Sequence, residues 1–330
     1  MTPPPDIPRS VIEPTTVVLT EDDRHVVRAL AEALSGDPGA LIDTPEWVAA
    51  ARDLSCTLPL HLREAIRRFQ RDPGEEGVLV VSGLPVDADR LPPTPSESGS
   101  VERHPTTSTA SIALTALQLG DITAFRQEKG GALVQNIVPV PGREDFQGNE
   151  GSAPLKMHIE NGFHPHRPDY VSLLCLRNDH EDVAALRTAS IRRALPLVSD
   201  RSREVLAQQR FITHPPRSFG DSAGPAEPAS VLSGHPDDPD VQVDFACTEP
   251  LDEEAKQALA ELDHAFDRSA RTFTLRTGDL AIVDNRITLH GRTAFRARYD
   301  GRDRWLHRVS VHVDSRRTRP VRSLDGDVLG

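Results

Sequence analysis

The chain has 330 residues, 27% of them charged, with a formal net charge of -12 at pH 7. That length supports one large buried core or two small ones, and an acidic balance without a basic patch argues against nucleic acid or an anionic membrane as partner. Cys56, Cys175 and Cys247 are widely spaced, which argues against a disulfide framework or a cysteine zinc site and fits a reducing cytoplasm.

The opening "MTPPPDIPRSVIEPTT" is proline-rich and lacks the apolar centre of a secretory signal. No apolar run approaches membrane-spanning length, so a soluble, cytoplasmic protein is expected. "TEDDRHVVRALAEALSG" predicts a helix capped by Thr20, acidic in its first turn and ending at Gly36. "TPEWVAAARDL" predicts a second, with Thr44 and Pro45 as cap and first-turn residue, and "LPLHLREAIRRFQRD" a third, amphipathic one. "GVLVVSGLP" reads as a buried strand, "LPPTPSESGSVERHPTTST" as a surface loop and "SIALTALQLG" as a helix. "ALVQNIVPV" predicts another strand.

Beyond residue 150 strands dominate, over "LKMHIE", "YVSLLCLR", "SVLSG", "VQVDFA", "TFTLRTGDLAIVDN" and "WLHRVSVHV". Helices are expected over "ALRTASIRRAL", "DRSREVLAQQ" and "DEEAKQALAELDHAFDRSA". The Gly/Pro/Ser-rich stretch 215–239 is too long for a tight turn and is expected to be a lid. Short strands with turn signals predict a mainly β fold with peripheral helices, its core a double-stranded β-helix (jelly roll) over residues 108–330. A helical N-terminal region and loop, residues 1–107, would pack on that core.

The chemistry concentrates in "LKMHIENGFHPHRPDY". Leu155, Met157 and Ile159 alternate with Lys156, His158 and Glu160, so a strand would set His158 and Glu160 side by side on the polar face. Pro165 and Pro168 put His164 and His166 in an irregular, structural turn. Farther on, "GDLAIVDNRITLHGRTAF" offers His290 after an apolar strand and a turn. Asp284 and Asn285 would fix that turn by side-chain-to-backbone bonds, with a role behind the metal ligands as the alternative. Two imidazoles and one carboxylate leave half an octahedral sphere open, as in non-haem iron oxygenases; catalytic zinc is the competing metal. Arg304 and Arg308 share a strand face in "RDRWLHRVSV" and, if turned inward, call for anionic partners. His307 alternates away from them and reads as structural.

His158-Ile159-Glu160, "DNRITLHGR" and Arg304 together resemble the clavaminate synthase-like branch of Fe(II)/2-oxoglutarate oxygenases, which includes arginine and asparagine β-hydroxylases. The resemblance runs from about residue 108 to the C-terminus. Glutamate rather than aspartate in the triad favours this branch, and a retained carboxylate speaks against a halogenase.

The resemblance implies Fe(II) on His158, Glu160 and His290, with 2-oxoglutarate and O2 as cosubstrates. It implies Arg304 and Thr188 at the far carboxylate of 2-oxoglutarate, and Arg308 at the substrate carboxylate. Gln127, with Glu128 as the adjacent alternative, would meet the substrate amino group, Asn149 its backbone and Asp244 its side chain. Arginine enzymes of the branch present two aspartates where this chain has Gln242 and Asp244, so asparagine, lysine or another nitrogen-bearing side chain is expected. The implied reaction is hydroxylation, most naturally at C3, of an amino acid or a carrier-tethered aminoacyl group, in the manner of natural-product pathways. Desaturation or cyclisation by the same cofactors is the runner-up. A zinc hydrolase or a cupin-like metal-binding module is the alternative of another class.

Overall fold

Thr20 and Asp23 close a reciprocal cap, the Asp23 amide donating to the Thr20 hydroxyl at 3.2 Å and the Thr20 amide to the Asp23 carboxylate at 2.8 Å. This starts the helix Glu21–Ser35 in the computed structural model of the chain, which describes residues 15–37, 39–215, 219, 227–322 and 326–330. Thr44 caps Pro45–Ser55, and Leu60–Arg71 and Thr107–Ala116 complete the N-terminal helices. They bury Val27, Ala31, Trp47, Leu62, Ile66 and Ile112 against one face of a nine-stranded sheet. The Val78–Ser82 strand lies inside that sheet, between Thr15–Val18 and Leu280–Asp284. Described residues from Leu19 to Val86 therefore share one core with the nine-stranded sheet.

Tyr170–Arg177 sits at the centre of the sheet, flanked by Leu280–Asp284 and Trp305–His312. Its near-continuous apolar run has a simple cause: Tyr170, Leu174 and Leu176 pack against the helices, while Val171, Leu173 and Cys175 face the opposite way. A four-stranded sheet runs Arg271–Phe273, Leu186–Ser190, Thr288–Arg292, Leu155–His158. Its core joins Met157, Leu289 and Ile287 to the helices Asp200–Leu206 and Glu253–Ser269. The architecture is mainly β with helices at the periphery. No helix among the described residues is long and apolar enough to cross a membrane.

Two expectations are corrected. "ALRTASIRRAL" is not one helix: Leu186–Ser190 is a strand laddered on both sides, and only Ile191–Ala194 is helical, capped by Ser190. Pairing with two neighbours outweighs the helix propensity of Ala, Leu and Arg there. The stretch 215–239 is not a single loop either. Leu232–His235 and Asp238–Val241 form an antiparallel hairpin, and Phe219 packs on Phe163 and Phe125, whereas residues 216–218 and 220–226 of the expected lid lie outside the described residues.

Candidate metal centre and its cavity

His158 ends its strand directly opposite His290, which lies on Thr288–Arg292. Gly291 permits this approach, because a Cβ there would meet the Leu155 carbonyl oxygen at 2.5 Å. Ile159 turns into the core, and Glu160 swings back to the histidine side, in the turn completed by Asn161 at φ 52°. One donor atom from each of His158, Glu160 and His290 lies within 4.8 Å of the others, and no second group of this kind occurs among the described residues. The Glu160 Oε2 to His290 Nε2 distance is 3.6 Å.

The protonation states suit a divalent cation. His158 Nδ1 is 2.9 Å from the Lys156 carbonyl, which can only accept, so Nδ1 carries the hydrogen of that bond and Nε2 is the ring nitrogen left for a metal. Burial, helped by His158, depresses the His290 pKa against the opposing pull of Glu160, which keeps that ring neutral. For Glu160 burial acts upward, but the charge of Arg308, followed by hydrogen bonding toward His290, overrides it and holds the carboxyl well below its usual range. Two imidazoles and one carboxylate, with no further His, Cys, Asp or Glu in the group, fit Fe(II) with open positions.

A cavity of about 760 Å³ opens beside this group, lined among others by His158, Glu160, Arg308, Glu128, Asn149 and Asp244. Arg308 donates from Nη1 to Glu160 Oε1 at 2.7 Å and from Nη2 to Glu128 and Gln135. Burial alone would depress the Arg308 pKa; the two carboxylates raise it instead. Gln127 is exposed and absent from the cavity wall, and its buried neighbour Glu128 stands there in its stead. The reason is the turn in which the Glu128 amide bonds back to the Phe125 carbonyl, aiming alternate side chains apart. Gln242 is withdrawn as well, its amide spent on the Gly162 carbonyl and on Arg167. Asp244 alone of that pair reaches the cavity, bridged in register to His158.

Arg304 is 5% exposed, and among the described residues its guanidinium makes no hydrogen bond or salt bridge. Burial pulls its pKa down to about 10, with Cys175 and Asp179 opposing. Arg292, a residue the sequence reading passed over, faces the same ring of Phe295 and is pulled down to about 9 by burial and by Arg304. Arg292 donates to the Ala153 carbonyl at 2.8 Å, and neither guanidinium has an ion-pair partner among the described residues, an arrangement that calls for an anion. Thr188 is 2% exposed, stands opposite His290 in the ladder, and its hydroxyl has no partner among the described residues.

His164 is structural: its ring packs on Phe125 and its Nδ1 accepts from the His166 amide. His166 gives its carbonyl to His312. His307 lies between Asn136 and Ser108, away from the cavity. Glu128 and Gln135 were missed as a unit. The available signal was register, since Gln135 pairs directly with Arg308.

Two histidines on adjacent strands of the four-stranded sheet and a glutamate in the turn that follows, beside an arginine buried without an ion-pair partner among the described residues, are the side chains of a non-haem Fe(II) dioxygenase that consumes 2-oxoglutarate and O2. The chain belongs to the family described as taurine catabolism dioxygenase TauD, TfdA, whose model matches residues 42–310. It is 51% identical to L-asparagine oxygenase of Streptomyces coelicolor over 95% of this chain and 94% of that one. It is 33% identical to clavaminate synthase 2 of Streptomyces clavuligerus over 88% and 90% of the two chains. A solved structure of asparagine oxygenase with Fe(II), 2S,3S-3-hydroxyasparagine and succinate superposes with a TM-score of 0.93 at 50% identity, covering 96% of this chain and 99% of that one.

Proposed function

We propose that this enzyme hydroxylates C3 of free L-asparagine. The observation that carries the reading is the cavity in which Glu128, Arg308, Asn149 and Asp244 stand around the His158, Glu160, His290 group. The likeness to L-asparagine oxygenase supports the same substrate. The nine-stranded and four-stranded sheets are read as the double-stranded β-helix of this enzyme class.

His158, Glu160 and His290 hold Fe(II). Bound iron with 2-oxoglutarate and O2 supplies the oxidising power to replace an unactivated C–H bond by C–OH, with succinate and CO2 as coproducts. Arg304 takes the far carboxylate of 2-oxoglutarate, with Thr188 donating beside it. Arg308 keeps its Nε and one Nη1 hydrogen beyond the bonds to Glu160, Glu128 and Gln135, and offers them to the substrate α-carboxylate. A carrier thioester has no such carboxylate, which favours the free amino acid. Glu128 receives the ammonium group, and Asn149 flanks it. With both α-substituents fixed, C3 is the carbon presented to the metal.

Asp244 accepts from the side-chain amide. One carboxylate suffices for a neutral N–H donor, whereas the five-donor guanidinium of arginine would lack a second acceptor where Gln242 is withdrawn. The test is a screen of free amino acids for iron-dependent succinate release. L-Asparagine is expected to give the highest kcat/KM with a product heavier by one oxygen. A preference for arginine or lysine would overturn the assignment.

A further inference from the structure

We propose that Asn285 is a positioning residue that sets the metal-binding carboxylate; this rests on reading His158, Glu160 and His290 as the iron site. Glu160 lies beyond the end of its strand, which stops at His158, and Asn161 turns the chain away immediately after it. Among the described residues no neighbouring strand pairs with its peptide groups. Asn285 takes that place. Its Oδ1 accepts from the Glu160 amide at 2.8 Å, and its Nδ2 donates to the Glu160 carbonyl at 3.0 Å and the Pro168 carbonyl at 2.9 Å.

Both Nδ2 hydrogens are thereby used, and the residue is 0% exposed. Its own amide donates to the Asp169 carbonyl at 2.9 Å. Asn285 also begins the turn from Leu280–Asp284 into the His290 strand. One side chain thus ties the backbone of the carboxylate ligand to the segment that delivers the second imidazole. Only a primary amide of this length can accept once and donate twice here. Aspartate has the same shape and can accept from Glu160, but an ionised carboxylate has no hydrogen for either carbonyl.

The test compares metal-free wild type, Asn285→Asp, Asn285→Ser and His158→Ala. Three quantities are read: apo melting temperature, Fe(II) affinity by anaerobic chelator competition, and the visible charge-transfer band of the anaerobic Fe(II)–2-oxoglutarate complex. At least one Asn285 variant is expected to melt cooperatively yet bind Fe(II) about 10–100-fold more weakly, with the band displaced. Folded variants with wild-type affinity and an unchanged band would overturn the proposal. Loss of the fold in both would also overturn it, by making Asn285 a folding residue alone. If His158→Ala bound iron as tightly as the wild type, the iron reading itself would fall, a result distinct from either.

Discussion

Arg308 and Glu160 meet across 2.7 Å inside the protein, the guanidinium Nη1 donating to Oε1 while Oε2 faces His290. The pair divides the work of the carboxylate between its two oxygens. One is held by the arginine and the other faces His290, so in the proposed iron site the glutamate would offer a single donor atom. Arg308→Lys keeps the charge but cannot fork to Glu160, Glu128 and Gln135 together. Its kcat/KM for the amino acid is expected to fall on the order of 100-fold, or about 3 kcal/mol. Steady-state kinetics with a near-wild-type value would refute this division.

Arg304 makes the opposite demand, because its guanidinium is buried without a hydrogen-bond or ion-pair partner among the described residues. Arg304→Met is expected to raise the KM for 2-oxoglutarate on the order of 100-fold while leaving the apo protein at least as stable, since it removes an uncompensated buried charge. Kinetics and apo melting are measured on the same preparation. An unchanged 2-oxoglutarate requirement would move the cosubstrate elsewhere.

Glu128 and Gln127 separate by one position in sequence and by a cavity wall in space. Glu128→Gln should raise the amino-acid KM at least about 10-fold through loss of a charge-assisted contact. Gln127→Ala should leave it unchanged. The reverse ranking would restore Gln127 to the substrate.

Buried neutral histidines predict sensitivity to acid. Burial lowers the His307 pKa to about 3 and, aided by His166 and His312, that of His164 to about 4. Unfolded, both would take up a proton near pH 6.5. Between that value and their folded pKa values the unfolded chain binds more protons, so stability falls as pH drops below about 6.5, by up to roughly 1.4 kcal/mol per unit for the fully buried His307 and by less for His164, whose partial exposure to solvent screens it. Urea titrations of the apo protein from pH 7 to pH 5 should record the decline. His307→Gln, which still offers a donor and an acceptor to Asn136 and Ser108, should lessen the slope; an unaltered slope would exclude His307 as a contributor.

What the sequence made legible was local. Thr20 and Thr44 announced their helices because a capping hydroxyl acts within one turn, and His158-Ile159-Glu160 announced a shared face because strand alternation is short-range. Leu186–Ser190 was hidden because its strand character comes from two distant partners. Gln127 was preferred to Glu128 because adjacent residues in a turn differ only in direction, which composition does not encode. Arg292 and the clamp by Asn285 depend on contacts far apart in the chain, with no periodicity to betray them.

The most direct test of the account is turnover with Fe(II), 2-oxoglutarate, L-asparagine and isotopically labelled dioxygen, read by mass spectrometry. One labelled oxygen in 3-hydroxyasparagine and one in succinate, both abolished in His158→Ala, is the expected result. Succinate and product formed equally well by His158→Ala, or no label in the amino acid, would contradict it.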